Sequence, residues 1–65
     1  MKIIVNREDH DLDATTLDEL MAQLGYEGGW LATAVNGELV HREERGEFLL
    51  TDGDRIEILA PMQGG

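Results

Sequence analysis

A single helical stripe sets the terms for how this chain can fold. Leu17, Leu20, Met21 and Leu24 recur at i, i+3, i+4 and i+7, one apolar face of an α-helix. Thr16 and Glu19 stand three apart at its start, the spacing of a capping box, in which each side chain satisfies the other residue's backbone N–H. Asp18 and Glu19 in the first turn suit the positive end of the helix dipole. Gly25 is placed to end the helix in the left-handed conformation that L side chains avoid. The remaining apolar residues fall in short runs with strand character. A chain of 65 residues so patterned has one helix with which to cover whatever sheet it builds.

The strands read as follows. Lys2-Ile3-Ile4-Val5-Asn6 is a β-branched run, and Arg7 to Asp9 reads as a turn into a weaker second strand over His10 to Ala14. After a loop at Tyr26 to Gly29, with its Gly28-Gly29 pair, a strand returns over Trp30 to Val35. Asn36-Gly37 before Glu38-Leu39-Val40 is a strong hairpin signal, because both turn residues tolerate positive φ. Glu43 to Gly46 is a charged connection, and Phe48, Leu49 and Leu50 turn back toward the core. Asp52-Gly53-Asp54 leads into a last strand, Arg55 to Ala60. The expected core is Ile3, Val5, Leu17, Leu20, Met21, Leu24, Val35, Leu50, Ile56 and Ile58.

Composition narrows function by exclusion. A domain of this size buries roughly 60% of its unfolded surface and leaves little room for a deep active site. There is no cysteine, so disulfides, a thiol nucleophile and a cysteine zinc site are unavailable. Fourteen acids against five bases give a net charge of −9, which argues against nucleic acid or anionic membrane as partner and suits docking on a basic protein. The longest uncharged apolar stretch, Trp30 to Val35, is too short to span a membrane. With no signal-peptide layout at Met1, a cytoplasmic location is expected.

Candidate catalytic and metal sites are weak. His10 lies between Asp9 and Asp11, with His41 as a distant partner, but no second spaced pair supports a metal. Asp52-Gly53-Asp54 resembles the start of a calcium loop without its continuation and reads better as a tight turn. No nucleophile–base or paired-carboxylate constellation stands out, so neither catalytic nor metal-binding residues are assigned.

The element order β-β-α-β-β-β, with a helix between an opening hairpin and later strands, is that of the ubiquitin-like β-grasp: an α+β fold with the helix across one face of a mixed sheet. The first and last strands, both rich in Ile and Val, are expected side by side and parallel at its centre. The whole of residues 1–65 is read as one such domain with a flexible C-terminal tail, 61–65. At its end stands Gly64-Gly65, a pair without side chains that forms a thin arm able to enter a narrow cleft.

Val35-Asn36-Gly37-Glu38-Leu39-Val40-His41-Arg42, then Asp52-Gly53-Asp54-Arg55-Ile56-Glu57-Ile58, then Gly64-Gly65 together resemble the ThiS family of thiamine-biosynthesis sulfur carriers, over nearly the whole chain. Two departures are His41, where the family usually has proline, and the Glu43–Glu47 segment, which lacks a tryptophan often found there. The resemblance implies a protein co-substrate rather than an enzyme. Its terminal carboxylate, on Gly65 beside Gly64, would be adenylated by an E1-like activating enzyme that uses ATP, the carrier itself holding no cofactor. A sulfur donor, a cysteine desulfurase or persulfide protein, would then leave a thiocarboxylate there for thiazole synthase. The small subunit of molybdopterin synthase and a ubiquitin-like modifier or interaction domain are the alternatives. Strand alternation turns Ile4 and Leu59 outward, so these two, with Met62, are the expected docking patch beside the tail.

Overall fold

A computed structural model describes residues 1–27 and 30–60. The strands β1 (Lys2–Val5), β2 (Glu8–Asp11), β3 (Ala32–Val35), β4 (Glu38–Val40) and β5 (Arg55–Leu59) form one sheet, with the helix α1 (Leu17–Gln23) between β2 and β3. The strand order is β2-β1-β5-β3-β4. β1 and β5 run parallel at the centre, and the other neighbouring pairs are antiparallel. This is the β-grasp topology expected from the element order.

The helix begins and ends as its sequence dictates, with one shift. Thr16 Oγ1 accepts from the Glu19 N–H at 3.2 Å, while the Glu19 carboxylate accepts from Thr15 N–H at 2.8 Å, one residue earlier than a capping box requires. At the other end Gly25 takes φ +84°. Its N–H donates to the Ala22 carbonyl at 3.2 Å and Tyr26 N–H donates to that of Met21 at 2.8 Å. Those two bonds are a Schellman motif, which satisfies carbonyls that the helix end would otherwise leave open.

Leu17, Leu20 and Met21 pack against Ile3, Val5, Val35, Ile56 and Ile58, with Leu50 completing the nine expected residues that are buried. Leu24, also expected there, is half-buried at the margin. Ala14, Leu31 and Val40 join the core as well. Leu49 is a correction: it is 67% exposed while Leu50 beside it is buried, because an extended backbone sends neighbouring side chains to opposite sides.

Three boundaries differ from the sequence reading. The first turn is Asn6-Arg7 instead of Arg7 to Asp9, and β2 accordingly spans 8–11 instead of 10–14. Both turn residues hold positive φ, 50° and 72°, the tight two-residue geometry that matches strand twist. Trp30 lies outside β3 and is 59% exposed. Between β4 and the core residue Leu50, Arg42–Glu44 form a 3-10 turn, closed where His41 N–H donates to the Glu44 carboxylate at 3.0 Å. Gly28-Gly29 and the tail 61–65 lie outside the described residues.

Candidate functional site

Two kinds of residue were expected to act, the terminal glycines and an outward apolar patch. Gly64, Gly65 and Met62 lie outside the described residues. What the structure does define is the strand that leads to them and the sheet face beside it.

β5 is held from both sides. On one side it pairs with β3 from Ile56 to Leu59, and just beyond, Asn36 N–H donates to the Arg55 carbonyl at 2.7 Å, and Arg55 N–H to the Asn36 side-chain oxygen at 2.9 Å. On its other side lies β1, which ends at Val5 opposite Ile56. There the Asn6 side chain takes over from the strand. Its Oδ1 accepts from Ile58 N–H at 2.9 Å and its Nδ2 donates to the Ile58 carbonyl at 3.2 Å. Asn6 Nδ2 also reaches the Tyr26 hydroxyl at 3.3 Å. Sequence reasoning placed Asn6 at the end of a strand and missed this role; the signal was an asparagine at a position where a strand must turn.

The outer face of the sheet carries the exposed apolar residues. Ile4 and Leu59 share that face, yet the register does not bring them together. Ile4 stands opposite Arg55, and Leu59 lies four residues further along β5, roughly 13 Å of strand rise away. The charged side chains of Arg55 and Glu57 occupy the face between them. The companion of Leu59 lies instead on the other side. Leu59 pairs with Ala32 and Leu39 pairs with Ala34. Leu39 and Leu59, 64% and 61% exposed, therefore flank a floor of two small alanines on the same face of β3. The register thus separates the expected neighbours Ile4 and Leu59: Ile4 is half-buried between Asp9 and Arg55, and Leu39 is the exposed leucine across the alanines from Leu59. The sequence already carried Leu39 in the hairpin; only the strand order could reveal its neighbour.

The alternative sites dissolve in the geometry. His10 sits on β2 and His41 just past β4, at opposite edges of the sheet, so they share no metal. Asp52 Oδ1 accepts from Lys2 N–H at 2.6 Å, and Asp54 accepts from Thr51 N–H at 2.8 Å and from the Asn36 amide at 3.0 Å. With Gly53 at φ +90°, these carboxylates fasten a turn. No helix among the described residues is long and apolar enough to cross a membrane.

A five-stranded mixed sheet with parallel central strands, one covering helix and an apolar patch on the open face defines a ubiquitin-like β-grasp domain. The model of the ThiS family matches residues 2–65. The chain belongs to the ThiS family, the sulfur carriers of thiamine biosynthesis. It is similar to the sulfur carrier protein ThiS of Thermus thermophilus, 36% identical over 94% of this chain and 95% of that one. It also resembles a thiazole synthase of Paramagnetospirillum magneticum, 32% identical over 100% of this chain, which spans only 20% of that protein. The crystal structure of a thiamine biosynthesis protein (ThiS) from Geobacter metallireducens superposes with a TM-score of 0.85 at 29% identity, covering 100% of both chains. Between the thiamine and molybdopterin readings left open by the sequence, the family match selects the first.

Proposed function

We propose that the chain carries sulfur as a thiocarboxylate on Gly65, as co-substrate of an adenylating enzyme. The single observation that supports this is the family match, which runs through Gly64-Gly65 to residue 65. In the proposed sequence a Gly65 carboxylate oxygen attacks the α-phosphorus of ATP and pyrophosphate leaves. The resulting mixed anhydride makes the carbonyl carbon a good acyl electrophile, which a carboxylate is not. A sulfur nucleophile from a persulfide donor then displaces AMP, and cleavage of the S–S bond by a thiol leaves the thiocarboxylate on the chain and a disulfide on the donor side. Glycine offers that attack the least steric hindrance, having no Cβ. The sulfur passes to a thiazole synthase, a partner suggested by the resemblance to a protein of that name. The ATP belongs to the adenylating enzyme.

Leu39 and Leu59, over the Ala32 and Ala34 floor, are the proposed docking surface for these partners. Leu59 is the last residue of β5, and Leu39 stands on β4, across β3 from it.

The test is ATP–pyrophosphate exchange with the cognate adenylating enzyme. Wild type is expected to exchange, a form extended beyond Gly65 by a tag is expected to be inert, and Gly65→Ala is expected to slow exchange more than it weakens binding. Extension replaces the carboxylate with a neutral amide, a far poorer nucleophile. Exchange by the tagged form at the wild-type rate, with the tag shown intact by mass, would refute the proposal.

A further inference from the structure

The segment after β4 buries an arginine whose side-chain hydrogen bonds go to neutral acceptors. Arg45 keeps 5% of its surface exposed. Its Nε donates to Thr33 Oγ1 at 3.0 Å, and its Nη2 donates to the Leu31 carbonyl. Thr33 Oγ1 donates in turn to the Val40 carbonyl at 2.7 Å, which fixes the hydroxyl as an acceptor toward the arginine. Among the described residues the ion pairs join only Met1 to Asp11 and His10 to Glu8. A buried guanidinium is normally matched by a carboxylate, since desolvating a charge is expensive. These two bonds engage two of its five N–H donors.

Arg45 borders a cavity of about 280 Å³ that it shares with Thr33, Leu39, His41, Arg42 and one acid, Glu43. Arg42 is exposed and forms no ion pair among the described residues. In a chain of net charge −9, two guanidinium groups and an imidazole thus border one small space. Leu39 belongs both to this cavity and to the apolar patch, so a protein seated on the patch stands over the cavity's rim.

We propose that this cavity is a carboxylate-binding site that receives an Asp or Glu side chain of the protein docked over Leu39 and Leu59. The class of ligand follows from the donors: a guanidinium presents parallel N–H groups in one plane, which match the two oxygens of a carboxylate. Arg45, held by Thr33 and Leu31, is pre-organised, and Arg42 supplies a second cation from the rim. The identity of the occupant rests on the docking surface proposed above; the cavity's affinity for a carboxylate does not.

The test uses the full chain alone, titrated with sodium acetate against sodium chloride at constant ionic strength. Arginine Nε–H and backbone amide resonances are followed by NMR. Acetate is expected to move the Arg45 Nε–H and the amides of Val40 and His41 along a saturable curve. Arg42→Gln, which leaves the buried bonds of Arg45 intact, is expected to weaken that midpoint at least about fivefold, the loss of one charge-assisted hydrogen bond. Arg45→Met should abolish the response; if that variant does not fold, Arg42→Gln decides. Linear shifts equal to those with chloride, or an unchanged midpoint in Arg42→Gln, would overturn the proposal. Inorganic phosphate saturating the same resonances at least about tenfold more tightly than acetate would overturn it too, by making the site one for phosphate. No sulfur chemistry enters, so a negative result leaves the carrier proposal standing, and failed adenylation leaves this one standing.

Discussion

Replacing Asn6 tests how the last strand is held at the point where its parallel neighbour runs out. β1 stops at Val5, so the N–H and carbonyl of Ile58 face the space where a continuing strand would pair with them. Asn6 Oδ1 and Nδ2 fill it with two bonds, at 2.9 and 3.2 Å. Each bond contributes about 1 kcal/mol net, and stranding the partly buried groups of Ile58 raises that. Asn6 also sits at φ 50°, where alanine is disfavoured by a further ~1 kcal/mol or more. Asn6→Ala should therefore lose about 2–4 kcal/mol, a large share of the roughly 3–10 kcal/mol expected for a chain of this length. Asn6→Gly relieves the backbone term but not the bonds, so it should lose about 1 kcal/mol less than alanine. The Tyr26 contact, long and more exposed at 3.3 Å, adds little.

Urea unfolding reads these losses. With a slope of about 1 kcal/mol per molar for so small a chain, the alanine midpoint should fall by about 2–4 M. Amide exchange at Ile58 adds a local reading: slow in the wild type, faster in both variants relative to the other amides of β5. If Asn6→Ala stays within about 0.5 kcal/mol of wild type, the side chain is not the clamp described. If glycine is as damaging as alanine, the conformational part of the argument is wrong.

Leu20→Ala, at a side chain with no exposed surface, should lose about 2–5 kcal/mol in the same urea measurement, and a loss of surface size would contradict its place under the helix. Leu39→Glu and Leu59→Glu should each keep the unfolding midpoint close to wild type, since both residues are more than half exposed. Each should weaken calorimetric binding to the adenylating enzyme about tenfold or more. Ile4→Glu distinguishes the two candidate patches: an effect on binding equal to that of Leu59, with Leu39→Glu silent, would restore the Ile4–Leu59 pairing that the register argues against.

The fold was legible because its strongest signals agree. A capped helical stripe, an Asn-Gly hairpin and two Ile/Val-rich terminal strands leave few arrangements other than a mixed sheet under one helix. Side-chain alternation then placed Ile3, Val5, Ile56 and Ile58 inward, and the structure buries all four. What misled was local. Arg7 has no intrinsic fitness for φ 72°, so the first turn read one residue late and β2 with it. Leu49 was read as turning toward the core together with Phe48 and Leu50, although in an extended segment its two neighbours point the opposite way from it.

The outer face of the sheet shows a different limit. Alternation decides which side of the sheet a residue faces; it says nothing about which outward residues stand together, because that depends on strand order and register. Ile4 and Leu59 are both outward and both on central strands, so pairing them from sequence was reasonable. The parallel register sets Ile4 against Arg55 and leaves Leu59 at the far end of β5. Antiparallel pairing with β3 sets Leu59 beside Ala32, and β3 in turn carries Ala34 opposite Leu39. Two alanines are what make the patch continuous. A larger residue at either position would stand up between the leucines, so Ala34→Gln should separate them and weaken docking while leaving Leu39 and Leu59 untouched. Binding of Ala34→Gln to the adenylating enzyme at wild-type strength would mean that the two leucines act singly, and that the floor between them is only filler.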